Sequence, residues 1–266
     1  MDWPGHRRRP RRHPRRLQQN NAHLLEIFLP QGLARENDGW KLSVRIRLMH
    51  ARVRALINHS DDWDQAAWGV PLSAAHIGFA TAAFSDLLLT RARQLGVHLS
   101  PAETKSFMMI RQYSGQLMGV EPALQVETEA QALRMHRIGM MCEPPPHLEA
   151  MLLANTLINS APLLVGAREP QARRKLAAYI YRVSRALIGD EMADALRYPP
   201  SRSFGVLEIF RLRNQADRLL RRLVPGLDQR RRGGQFNQML NVSFHQAGGL
   251  DYRLPAVLHA QRDRPE

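Results

Sequence analysis

The chain has 266 residues, 44% of them hydrophobic, and carries 38 basic against 24 acidic side chains, a formal net charge of +14. That length and composition can build one large core with room for a cofactor, no apolar run reaches the roughly 20 residues that a membrane-spanning helix requires, and the single cysteine, Cys142, excludes an internal disulfide framework and any cysteine-cluster metal site. The charge invites a nucleic-acid reading, but its distribution argues against one. All basic residues except Lys41, Lys105 and Lys175 are arginines, and seven of these crowd between Arg7 and Arg16, interrupted by Pro10 and Pro14, with no aromatic residue among them to stack on bases.

Residues 1–16 read as a disordered Arg-rich tail. No apolar stretch follows the basic block as a secretory signal requires, so a cytoplasmic location is the expectation. Residues 17–224 carry a helical pattern, and 225–266 read as an irregular C-terminal extension, broken by Pro225, Gly233 and Gly234. Apolar spacing predicts a first helix over 20–29, stopped by Pro30 and Gly32, and a long one over 40–58. Residues 60–71, which end in Trp68-Gly69-Val70-Pro71, read as an ordered loop. Ser73 is placed to cap a helix that runs to Leu95 and is closed by Gly96; Ser100 and Glu103 form a capping-box pattern that opens a helix to Met118, closed by Gly119. Further helices are expected over 122–141, 146–159, 169–188 and 204–223. Strand alternation and long-period repeats are absent from the pattern, so the expected fold is all-α, a single multi-helix bundle domain.

Candidate chemistry concentrates on the helix over 40–58. Leu42, Ile46, Met49, Val53, Leu56 and Ile57 form an apolar stripe, and His50 lies at its edge with Arg47 and Arg54 on the same flank. Guanidinium groups at an apolar border need anions. A haem meets that geometry with an apolar ring to cover, an iron for an imidazole nitrogen, and propionates for the arginines. A core-edge histidine whose arginines pair with acidic residues of neighbouring helices meets it as well. None of the other histidines forms a metal motif, and His59 beside Asp61 and Asp62 reads as solvated loop charge. Met108, Met109, Met118, Met140 and Met141 read as core, with an apolar channel as the alternative, and Cys142 as a buried thiol. No glycine-rich phosphate loop or Gly-x-Ser-x-Gly elbow is present, which removes nucleotide-dependent and serine-hydrolase chemistry.

The segment Val44-Arg45-Ile46-Arg47-Leu48-Met49-His50-Ala51-Arg52-Val53-Arg54 is followed by Trp68-Gly69-Val70-Pro71, Leu95-Gly96-Val97, Leu117-Met118-Gly119-Val120 and Arg185-Ala186-Leu187-Ile188-Gly189-Asp190. This ordered series resembles the family of latex clearing proteins and MpaB-type oxygenases, over roughly residues 16–190. The resemblance implies a globin-like helical core and a haem b whose proximal ligand is the histidine of an Arg-x-x-His-x-x-x-Arg motif, here His50 between Arg47 and Arg54. It also implies oxidative cleavage of carbon–carbon double bonds in a small apolar, isoprenoid-like substrate by dioxygen. The family's distal Arg-x-x-Lys-Thr pattern falls on Arg16, Gln19 and Asn20, so the lysine and threonine are replaced, and the family's upstream glutamate would fall before Met1. Two expectations follow. One is a haem-dependent dioxygenase in which Arg16, Gln19 and Asn20 form the distal side; the other is a non-catalytic helical relative that binds an apolar ligand or a protein partner.

Overall fold

A computed structural model describes residues 20–223, which are helical with no strand among them. The Arg-rich tail, Arg16, Gln19 and the C-terminal extension lie outside the described residues. Helix ends follow local capping chemistry wherever that chemistry is written. Ser73 accepts from the His76 N–H at 3.3 Å and opens α4, Ala74–Gln94. Ser100 and Glu103 exchange hydrogen bonds at the start of α5, Pro101–Met118, with Pro101 in the first turn and Gly119 in the left-handed conformation at its end. Helix α1 is described over 20–26, and α2 spans Asp38–Asn58, with Asp38 favourably placed in its first turn.

Elsewhere the boundaries depart from the expected ones. The loop over 60–71 is ordered as expected but contains a short helix, α3, Gln65–Trp68, because the Asp64 carboxylate accepts from the N–H groups of Ala66 and Ala67. The helix expected over 122–141 divides into a 3-10 turn, Pro122–Leu124, and α6, Glu129–Cys142, which Thr128 and Gln131 open with a capping box of their own. Between them the chain is held extended. The Gln125 carboxamide donates to the Val120 carbonyl at 3.3 Å and accepts from Gln116 at 2.8 Å, while Val126 enters the core. Helix α7, Leu148–Leu164, does not stop at 159 but runs through a fully buried Pro162, which in the last turn costs only one hydrogen bond. Helix α8, Pro170–Ile188, turns at Gly189 directly into α9, Asp190–Ala195, and α10 spans Val206–Leu223.

Helix α4 is central: it packs on α6 along one side and α5 along another, and α2 lies along α5. One core cluster gathers Ala82, Leu89, Met108, Val126 and Ala132, and a second joins Ile77, Met118 and Val120 to Ile46 of α2. Helices α7, α8 and α9 form a second group, clasped by Arg185, which reaches Asp190 at 2.9 Å, Asp194 at 2.6 Å and the Tyr198 carbonyl. Helix α10 packs on α8 and caps the end of α4, where Arg211 and Asn214 donate to the carbonyls of Gln94 and Leu95. The motifs 95–97 and 185–190 thus serve the architecture. No described helix is long and apolar enough to cross a membrane.

Two readings of single residues need correction. Met108 and Met118 are core, whereas Met109, Met140 and Met141 are exposed, and Cys142 is exposed at the end of α6 instead of buried.

The α4–α6 contact depends on a missing side chain. A Cβ at Gly139 would lie 2.2 Å from the Phe79 ring, which itself stacks on His136 with centroids 5.8 Å apart. Gly139→Ala is therefore expected to destabilise the protein by about 1–3 kcal/mol through overpacking, read as a lowered denaturation midpoint; an unchanged midpoint would mean the helices are not this close.

Candidate functional site

Helix α2 buries a broad face. Leu42 and Ser43 are fully buried, and Ile46, Met49, His50, Val53, Arg54 and Ile57 are half-buried, while Arg47 and Leu48 are exposed. His50 lies within this inward face rather than at its edge. Its Nδ1 is buried with no hydrogen-bond partner, and burial, followed by the positive charge of Arg54, pushes its pKa below the ordinary histidine value. The imidazole is therefore neutral at physiological pH, the form that can ligate a metal.

The two arginines go separate ways. The Arg54 Nε donates to the carbonyls of Pro71 at 3.2 Å and Leu72 at 3.1 Å, and its Nη2 bonds Leu72 again, so it ties α2 to the loop that enters α4. Trp63 donates to Gly69 at 2.9 Å in the same loop, which gives the 68–71 motif a fixed shape. Arg47 lies across Gly119, where a Cβ would come within 3.1 Å of its Nε. Its charge thus rests on the C-terminal end of α5, whose last carbonyls attract cations. Asn20 is exposed at the first described position of α1.

Three polar residues near this face were not singled out by sequence. His23, one turn beyond Asn20, is 6% exposed and its Nε2 lies 2.9 Å from the Ser43 Oγ. The Ser43 hydroxyl already donates to the Gly39 carbonyl at 2.8 Å, so His23 must be the donor and is the Nε2–H tautomer. Arg111 of α5 is 2% exposed, and Ser114, one turn further on, is wholly buried. Arg111 was legible in principle, since it interrupts an apolar stripe formed by Phe107 and Met118 at helical spacing. His23 had only its place inside the helical pattern of 20–29 to mark it.

A haem requires one protein nitrogen for its iron, and the orphaned, neutral imidazole of His50 fits that demand. A hollow of about 750 Å³ lies elsewhere, lined by Arg93, Met108, Met109 and Gln112 between α5 and the start of α6.

Burial lowers the His23 pKa from 6.5 to about 4, with the Arg111 charge adding to the effect. The unfolded chain takes up a proton near 6.5 that the folded chain refuses until about 4, so stability is complete above 6.5 and falls as the pH drops through that interval. The loss from this group amounts to roughly 3 kcal/mol. Denaturation midpoints across that range should fall with acid in the wild type and less steeply in His23→Gln; parallel profiles would contradict a buried neutral His23.

Comparison with known proteins agrees with this architecture. A latex clearing protein in its closed state superposes with a TM-score of 0.56 over 92% of this chain at 21% identity, and the chain spans 55% of that protein's length. The rubber oxygenase of Streptomyces sp. (strain K30) is 28% identical over 98 residues, which amount to 36% of this chain and 23% of that protein. The family described as ER-bound oxygenase mpaB/B'/Rubber oxygenase, catalytic domain, matches residues 4–222. With the all-helical bundle and the ordered motifs around His50, that match establishes that the chain belongs to this family.

Proposed function

We propose that the helical unit over 17–224 is a haem b-dependent oxygenase that cleaves carbon–carbon double bonds of an apolar, isoprenoid-like substrate with dioxygen. The observation that carries this reading is the half-buried, neutral imidazole of His50, whose Nδ1 is buried without a partner, inside the motif that the family match covers. His50 would hold the haem iron, which when bound supplies the dioxygen chemistry.

The chain's own residues contribute position and electrostatics. Arg54 fixes α2 against the carbonyls at 71 and 72, which orients His50, and burial, with the Arg54 charge adding to it, keeps the imidazole unprotonated. Arg47 and Arg54 are the motif's candidates for a propionate. Of these, Arg47 has its exposed guanidinium at the end of α5, and Arg54 already serves backbone carbonyls. Arg16, Gln19 and Asn20 are the candidate distal residues. Gln19 and Asn20 carry carboxamides, which donate and accept hydrogen bonds but do not titrate, so their part would be to orient a polar group and not to deliver a proton.

The exposed Asn20, in place of the family's threonine, favours a second reading: a relative that binds an apolar ligand without catalysis. One pair of measurements separates the two. Purified protein titrated with haemin should develop a Soret band that collapses in His50→Ala and returns with added imidazole; an unchanged spectrum in that variant removes His50 as ligand. Incubation of the loaded protein with a short polyisoprene under oxygen should yield carbonyl-ended fragments, and their absence beside an intact Soret band selects the binding protein.

A further inference from the structure

We propose that Arg111 and Ser114 form a buried receptor for the carboxylate of a bound ligand with an apolar body. Phe107, Arg111, Ser114 and Met118 share one face of α5 at helical spacing. Phe107 stacks on Phe28, just after α1, with centroids 5.2 Å apart, and Met118 packs near Ile46 of α2, so this face is turned toward α1 and α2. Between those two contacts the Arg111 Nε and the Ser114 Oγ are both buried with no hydrogen-bond partner.

No described carboxylate neutralises Arg111. The buried carboxylate of the neighbouring helix, Asp86, is turned to His136 at 4.0 Å and Thr90 at 3.4 Å, and what Arg111 meets on α4 is the Phe84 ring, 5.6 Å from its guanidinium carbon. The other polar neighbour, His23, is committed to Ser43. Ser114 is equally unusual among its kind, because Thr81 and Ser85 donate to carbonyls four residues back and Ser114 does not.

An uncompensated buried guanidinium is among the most costly groups a core can hold, and its planar fork is shaped for a carboxylate. A hydroxyl one turn away on the same face supplies a further donor. The carboxylate has two possible sources. One is a propionate of the haem, which rests on the function proposed above; the other is the head of an amphipathic acid.

The test compares wild type, Arg111→Met and Ser114→Ala in binding haemin, haemin dimethyl ester, which has no free carboxylate, and palmitate. In the unliganded protein Arg111→Met should unfold at or above the wild-type temperature, because it removes a charge with no partner. Arg111→Met should weaken haemin about tenfold or more and leave the ester unchanged, with a smaller effect in Ser114→Ala; this outcome assigns the propionate. Wild type that binds palmitate in an Arg111-dependent way yet gives no Soret band with haemin sustains the carboxylate site while the haem reading fails. The proposal is overturned if wild type binds neither acid, if the variants bind both acids as wild type does, if acid and ester lose affinity equally, or if unliganded Arg111→Met melts well below wild type.

Discussion

Helices α1, α2 and α5 meet along a buried seam that carries polar side chains and is short of acceptors. In such surroundings a charge without a partner costs several kcal/mol, and an imidazole loses its proton more readily than it accepts burial as a cation. His23 obeys this by staying neutral and donating through Ser43 to the Gly39 carbonyl. Arg54 obeys it by turning to the carbonyls of Pro71 and Leu72. Arg111 cannot discard its proton at physiological pH, since even burial lowers its pKa only to about 10. The packing of three helices therefore encloses a cation that needs an anion.

The same constraint shapes His50. Its neutral state follows from burial beside Arg54, and Arg54 is held by a loop whose shape depends on Trp63 and Gly69. The ordered motifs thus divide into two physical roles: 44–54 presents the imidazole, while 68–71, 95–97 and 117–120 set the turns and helix ends against which α2 and α10 settle.

What could be read from sequence was what is decided locally. The caps at Ser73 and at Ser100 with Glu103, and the glycine stop at Gly119, involve residues a few positions apart and were legible before any tertiary contact was known. The continuation of α7 through Pro162 was not, because it depends on the burial of that proline. The break before α6 is written in part in the local capping box of Thr128 and Gln131, a signal the expected helix over 122–141 passes over, and in part depends on Gln116 and Val120 holding Gln125. At the site, spacing marked His50 and its arginines but placed His50 at an edge and Arg54 on an anion, whereas the chain folds His50 inward and sets Arg54 on backbone carbonyls. His23 and Arg111 escaped notice because their meeting depends on how α1 packs against α5, and an arginine within an apolar stripe is by default read as surface.

The role proposed for His50 is to supply the nitrogen on a haem iron. Its most direct test is pulsed electron paramagnetic resonance of the ferric, haemin-loaded protein grown with nitrogen-15 histidine. A hyperfine coupling from a histidine nitrogen should be present in the wild type and in His23→Gln and lost in His50→Gln; a coupling that survives in His50→Gln, or is absent from the wild type, would contradict that role.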